Sequence, residues 1–322
     1  MAPKISVVIP LFNKGPHIER TLNSVLNQLF QDFEVIVVDD GSTDRGAEIV
    51  KGFDDSRIRL IQQENRGVSA ARNRGIEEAR ADFIAFLDAD DEWMPDHLEV
   101  LLRLQKKYPE AGAYTTTYLT IHSNSSTKKP HFYGIPEKPW EGILQNYFKS
   151  AAFGASPMTA STVGIFKNIL IEIGAFNIAA HGHEDSDLWE RIALKYPVAF
   201  SWDGEGLYHF DASNRHCDNW RPIEENIGVS TAWNAIESGE VPEEMYEDFL
   251  EYAARLDIET AYRNLKAGRA DFAQKNLKHC RTKYLKCQKY PLLFCTYLPF
   301  GIFKRLLIFE DFVKKINNLI IK

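Results

Sequence analysis

The run Phe83-Ile-Ala-Phe-Leu-Asp-Ala-Asp-Asp91 decides the fold of this 322-residue chain. Five apolar residues, aromatic and branched, predict a strand buried on both faces. The strand stops at three carboxylates, Asp88, Asp90 and Asp91, with only Ala89 between them. In an open parallel sheet, ligands sit beyond the carboxyl ends of the strands. A hard divalent cation there takes one or two carboxylates plus phosphate oxygens. An Asp-x-Asp delivered to that edge therefore suits a Mg²⁺ or Mn²⁺ ion held against a phosphate. The alternative is a solvated acidic turn capping the next helix, with Asp91 or Asp90 as N-cap before Met94-Pro95-Asp96. An EF-hand loop does not fit, since a loop opening at Asp88 has Trp93 where its glycine should be.

Upstream, Ile5–Ile9 predicts a first strand closed by Pro10, and then a helix with Ile18, Leu22, Val25, Leu26 and Leu29 on one face. Phe33–Val38 predicts a second buried strand, ending in Asp39-Asp40-Gly41-Ser42-Thr43-Asp44, where Ser42 or Thr43 can cap the next helix. Arg57–Ile61 predicts a third strand, and Glu64–Ser69 opens a helix through Ala79. Strands alternating with helices at this spacing mean an α/β protein with a Rossmann-like, doubly wound, mostly parallel sheet. Right-handed crossovers put the Asp39/Asp40 and Asp88/Asp90 ends on one sheet edge. No G-x-G-x-x-G follows the first strand and no P-loop is present, so a dinucleotide site and a Walker NTPase are both excluded.

Four ordered motifs, Ile9-Pro10 with Asn13, Val38–Asp44, Asn65-x-Gly67 with Ala71-Arg72-Asn73-x-Gly75, and Leu87–Asp91, resemble the nucleotide-binding half of family 2 glycosyltransferases. These are inverting enzymes of the GT-A fold. The resemblance is close over residues 4–105 and looser to about residue 215. It implies a nucleotide-diphosphate sugar as donor, a UDP-sugar first among them. Pro10, Leu11, Phe12 and Asn13 would line the base and ribose, and Asp39 or Asp40 would take a base N–H. Asn65, Gly67 and Ala89 would complete the donor site, with Arg72 near the diphosphate or in a structural salt bridge. Asp88 would meet ribose or metal and Asp90 the metal, Mn²⁺ or Mg²⁺.

Further on, Glu184-Asp185 matches the family's Glu-Asp at the start of a helix, so the resemblance makes Asp185 the general base. Without it, Asp185 and Asp187 read as first-turn partners of the helix dipole. Glu184, His183 and Trp93 would lie on the acceptor side, and His209 would reach the metal or diphosphate. His181-x-His183-x-Asp185 also resembles part of a metallo-hydrolase set, but Ser186 stands where its next histidine belongs. Ala151–Thr162, small and turn-rich, predicts an acceptor-facing loop, and His122–Pro139 an exposed one. Two rivals remain. A sugar nucleotidyltransferase would carry a Gly-rich basic loop where Pro10-Leu11-Phe12-Asn13 stands, and a non-catalytic binding module would not need Asp88, Asp90 and Asp185.

The expected division is 1–110 for the donor half, 111–221 for the acceptor half and 222–322 for a helical appendage. From Arg255 to Lys322 there are 15 Lys+Arg against 5 Asp+Glu, whereas the preceding part has 23 against 40. An acidic body argues against nucleic acid as ligand, and a basic tail leaves room for an anionic membrane surface. Pro291–Phe312, rich in Leu, Phe, Ile and Tyr, suits either a surface-lying amphipathic segment or a docked helix. No signal peptide or eighteen-residue apolar stretch is visible, and the cysteines form no CxxC. The expected setting is cytoplasmic, at the inner face of a membrane, with a glycan or lipid-linked acceptor.

Overall fold

The computed structural model describes residues 2–180, 182–213 and 222–303. The chain forms two compact units, Met1–Arg215 and His216–Lys322. His181, Cys217 and the 304–312 part of the apolar tail lie outside the described residues.

The first unit opens as its sequence pattern predicts. β1 (Ile5–Leu11), β2 (Phe33–Asp40), β3 (Ile58–Gln63) and β4 (Phe83–Phe86) form one parallel run in the order β3-β2-β1-β4. β1 and β2 are buried along nearly their whole length because helices cover the sheet. α1 (Gly15–Leu26) buries Ile18, Leu22 and Val25, while Leu29 falls past its end and is exposed. α2 (Gly46–Lys51) and α3 (Val68–Glu78) follow β2 and β3. α3 lies so close to the sheet that a Cβ on Gly75 would come within 2.3 Å of the Val8 side chain.

β4 is followed by the short β5 (Glu92–Trp93), α4 (His97–Lys107) and β6 (Ala113–Ile121). The expected 122–139 loop contains only the two-residue β7 (Thr127–Lys128), and β8 (Glu141–Ile143) leads to α5 (Tyr147–Phe153). β9 (Val163–Phe166) enters antiparallel between β4 and β6. After α6 (Lys167–Ile173) and α7 (Glu184–Lys195), β10 (Val198–His209) pairs parallel with β6 and antiparallel with β5. The sheet is therefore parallel in its first half and mixed in its second. The second unit is helical, with α8 (Ile227–Ser238), α9 (Tyr246–Lys266), α10 (Ala270–His279) and α11 (Lys286–Cys295).

Two local expectations need correction. Neither Ser42 nor Thr43 caps α2: the Ser42 hydroxyl accepts from the Asn13 amide at 3.0 Å. Asp44 serves instead, accepting from Gly46 N at 2.9 Å and from Gly15 N at 2.7 Å, so one carboxylate holds the first turns of both α1 and α2. Nor do Asp90 and Asp91 cap α4, which starts at His97 without a side-chain cap.

Candidate active site

The C-terminal ends of β1, β2 and β4 share one edge, because the three strands are parallel and in register. At β1 the chain turns through Asn13, whose positive φ of 52° is a conformation asparagine tolerates better than most residues. The Asn13 side-chain oxygen accepts from Thr43 N at 2.8 Å, tying the β1 turn to the β2 turn. Pro10 and Leu11 remain in the strand, while Phe12 is exposed at the edge.

Asp39 and Asp40 are both 2% exposed and bonded to neutral donors. Asp39 accepts from Ser42 N and the Gln62 amide, each at 3.0 Å. Asp40 accepts from the Gln63 amide (2.7 Å), Arg66 N (2.9 Å) and Gly67 N (2.8 Å). It thereby fixes the Asn65–Gly67 turn that opens α3. Gly67 has φ 90°, and Gly41, at φ 74°, has no room for a Cβ against Asn65 N.

The β4 end is held differently. Buried Thr21 on α1 donates to the carbonyls of Ala89 (3.0 Å) and Asp91 (2.8 Å), and Arg20 donates to that of Asp90 (2.7 Å). These clamps leave the carboxylates themselves to other partners. Asp88 takes Arg72 Nη2 at 2.8 Å, and Asp90 takes Lys14 Nζ at 2.6 Å. Asp91 turns inward, where Ser161 Oγ (2.5 Å) and His209 N (2.9 Å) donate to it. Burial, reinforced by the charges of Asp90 and Asp88, pushes the Asp91 carboxyl up to about 8.

Arg72 joins this end to α7. Its guanidinium is buried over the Phe176 ring and reaches Glu184 at 2.9 Å through Nη1. Burial opposes its charge, but Asp88 and Glu184 outweigh that and raise its proton affinity. His183 precedes α7 in a left-handed turn, φ 59°. Asp185 is half-buried in the first turn. Burial and then the neighbouring Glu184 raise its proton affinity, against the opposing pull of Arg72 and His183. Asp187 is engaged by Arg191 at 2.6 Å, which makes it part of the scaffold.

Two expectations change here, those for Trp93 and for the Ala151–Thr162 stretch. Trp93 faces the core, not an acceptor: it is 3% exposed, stacks on His97 and donates its indole N–H to Ser161 O at 2.6 Å. His209 has Glu92 on Nε2 (2.7 Å) and Asp211 on Nδ1 (2.9 Å), and although burial opposes its charge these bonds raise its proton affinity. The Ala151–Thr162 stretch is no open loop, since its first residues end α5 and Ala160, Ser161 and Thr162 are buried, with Ser161 bonded to the acidic turn.

Lys14, Arg20, Thr21 and Ser161 were invisible as site residues in the sequence. None sits in an acidic or glycine motif, and only the packing of α1 and the 154–162 segment on the β4 end brings them in. Among the described residues, no cluster of three or more His, Cys, Asp or Glu side chains forms a metal cage. Asp90 nevertheless already holds a cation, the Lys14 ammonium, and Asp88 lies two residues away. One or two carboxylates shared with a diphosphate are what Mg²⁺ or Mn²⁺ needs, so the residues fit such an ion.

The sequence profile described as "Glycosyl transferase family 2" matches residues 6–170. Glycosyltransferase GlyG of Streptococcus pneumoniae is 40% identical over 215 residues, 65% of this chain and 71% of that protein. The GalNAc(5)-diNAcBac-PP-undecaprenol beta-1,3-glucosyltransferase of Campylobacter jejuni is 31% identical over 194 residues, 59% of this chain and 60% of its own length. Another relative, GlyA of S. pneumoniae, is matched over only 28% of its length. Among solved structures, Staphylococcus aureus TarS 1–349 in complex with UDP-GlcNAc superposes with a TM-score of 0.66 at 17% identity, covering 91% of this chain and 89% of that one. The mannosyltransferase PcManGT from Pyrobaculum calidifontis, in complex with GDP-Man and Mn²⁺, gives 0.61 at 18% identity, covering 100% and 86%. At such identities the likeness shows the GT-A-type fold.

Proposed function

The chain belongs to glycosyl transferase family 2, and from that premise we propose that it transfers a sugar from a nucleotide-diphosphate donor to an acceptor hydroxyl with inversion. The observation that carries the reading is the Arg72 bridge, which ties the acidic β4 end to the first turn of α7. A direct displacement needs a donor-holding site and a proton acceptor in one cleft, and that bridge joins the two motifs.

In this reading the turns after β1 and β2 hold the nucleoside. Asp39, with fewer internal donors than Asp40, meets the base N–H. Asp88 and Asp90 would hold a divalent ion, which when bound neutralises charge on the leaving diphosphate. Asp185 takes the acceptor proton, and its raised proton affinity suits it to that task better than an ordinary aspartate. UDP-sugars are the first candidates, since TarS was solved with UDP-GlcNAc, with GDP-sugars next after PcManGT. A thermal-shift screen of UDP-, GDP- and dTDP-sugars with and without Mn²⁺ tests this. Stabilisation by one nucleotide class is expected, and no response to any of them would remove the donor reading.

The acceptor is a growing surface glycan or a lipid-linked one, in keeping with the undecaprenol-linked substrate in the name of the Campylobacter relative. No helix among the described residues is long and apolar enough to cross a membrane. Tyr290 and Phe294 on α11, with Tyr297 just beyond it, are each more than half exposed at four- and three-residue spacing. Lys283, Lys286 and Lys289 accompany them, a composition suited to anionic lipid. Cosedimentation with anionic vesicles should exceed that with neutral ones and drop in Phe294→Glu. Equal binding to both vesicle types would end the electrostatic argument.

A further inference from the structure

We propose that the cleft between α1 and β5 is a saccharide-binding site, seating sugar units of the acceptor glycan away from the reacting hydroxyl. This rests on the glycan-acceptor reading above. The cleft holds about 560 Å³, within the range of roughly 300–1,000 Å³ usual for small-molecule sites. One wall is a face of α1 and its C-cap, on which Arg20, Asn23 and Asn27 recur at three- and four-residue spacing. The other is Glu92 of β5, with Met94 and Pro95 after it. The two walls are fixed to each other. Trp93 N donates to Ser24 Oγ (3.2 Å), Gln28 Nε2 to the Met94 carbonyl (2.8 Å) and Leu29 N to the Pro95 carbonyl (2.8 Å), while Arg20 pairs with Glu92 at 3.1 Å. A ligand therefore enters a preformed cleft and does not have to order it.

The chemistry of the walls selects the ligand. Asn23 and Asn27 are exposed, and each carboxamide both donates and accepts. Arg20 adds donors and Glu92 acceptors, so the hydroxyls of a sugar, which also do both, meet partners of each kind. Met94 and Pro95, both exposed, offer apolar surface to the C–H face of a pyranose ring. An anion is disfavoured, since the carboxylates of Glu19 and Glu92 outnumber the one guanidinium. A purely apolar ligand would bury the amides and the ion pair without giving them partners. The cleft also adjoins the reaction. Arg20 donates through Nη2 to the Asp90 carbonyl at 2.7 Å, so a sugar on Arg20 and Glu92 lies one side chain away from the acidic turn. His183, Glu184 and Asp185 do not line the cleft, which places the bound units away from the hydroxyl that reacts.

The test is saturation-transfer difference NMR on the full chain with neutral trisaccharides: cellotriose, maltotriose, laminaritriose and chitotriose. At least one should bind, and UDP or GDP at saturation should leave it bound, because the cleft lies apart from the nucleotide turns. Asn23→Ala removes one carboxamide and should weaken that binding about three- to tenfold. Asn23→Trp sets a bulky ring at an exposed helix position and should abolish it, while the thermal shift given by nucleotide stays that of wild type. Binding of none of these sugars overturns the proposal, as does unchanged binding in Asn23→Trp. Displacement of the sugar by nucleotide overturns it too, since the sugar would then occupy the donor site. If Asn23→Trp fails to fold, Asn27→Trp carries the same comparison. Should no nucleotide stabilise wild type, the donor reading fails, while the sugar titration with the Asn23 variants still decides whether the cleft is a saccharide site.

Discussion

Two strand ends on one sheet edge carry almost the same residues, Asp39-Asp40 on β2 and Asp88-Ala89-Asp90 after β4, yet they are held in opposite ways. At β2 every bonded partner is a neutral N–H, most of them from backbone. At β4 the two outward carboxylates hold Arg72 and Lys14, and the backbone is fixed separately by Arg20 and Thr21. A carboxylate bonded to fixed amides builds a turn. One bonded to side-chain cations, on a turn clamped by something else, can trade its partner for a ligand without unfolding anything. Similar sequence thus yields one end held by neutral N–H groups and one held by side-chain cations.

The largest effect should come where the β4 end reaches α7. Asp185→Asn keeps shape but cannot accept a proton, and general-base assistance is worth about 10² to 10⁴ in rate. Transfer should fall by that order with nucleotide affinity near wild type. Retention of more than a tenth of the rate would move the base elsewhere, and Asp187→Asn, whose carboxylate serves Arg191, should change stability more than rate. Next comes the β2 end. Asp40→Ala leaves three donors without their acceptor and should cost about 3 kcal/mol in urea unfolding. A loss below about 1 kcal/mol would show that Asp40 is no more structural than its β4 counterparts.

Asp90→Ala sharpens the contrast from the other side. Its ion pair with Lys14 is only about 15% exposed on each side, so the loss should fall between that of an exposed and a buried pair, about 1 to 3 kcal/mol. The Mn²⁺-dependent stabilisation by nucleoside diphosphate, about 2.7 kcal/mol at a hundredfold excess over Kd, should disappear. If the variant melts with the same Mn²⁺ dependence as wild type, Asp90 is not a ligand. The smallest effect is a shift along the pH axis. Asp185 is raised above the ordinary value of 3.8 by burial and Glu184, and it acts deprotonated, so activity should be lost on acidification at a pH above that value. Arg72 opposes the shift, so Arg72→Gln should move the acid limb higher still. A limb unmoved by that change would separate Arg72 from the base.

The strands were legible because burial on both faces leaves continuous apolar runs, and the sequence pattern placed β1, β2, β3 and β4 with errors only at their ends. The errors at β1 and β2 share a cause: Pro10, Asp39 and Asp40 are poor strand formers that nevertheless continue the ladder, and only the neighbouring strand's register shows that pairing goes on. The antiparallel entry of β9 between β4 and β6 had no local signature, because Val163–Phe166 is a short apolar strand in either direction.

The sequence by itself determined the α/β class, the shared acidic edge and the family, since these follow from periodicity and from motifs that lie within a few residues of one another. The tertiary structure alone decided what each carboxylate does. Asp91 is buried against Ser161, Asp88 shares Arg72 with a glutamate 96 positions later, and Asp90 holds a lysine 76 positions before it. Trp93 likewise left the expected site once its indole N–H found a buried partner. The charge state and availability of a side chain depend on what surrounds it in space, and in this protein the deciding neighbours come from α1, α3, α7 and the 154–162 segment, distant in sequence from the strand ends they control.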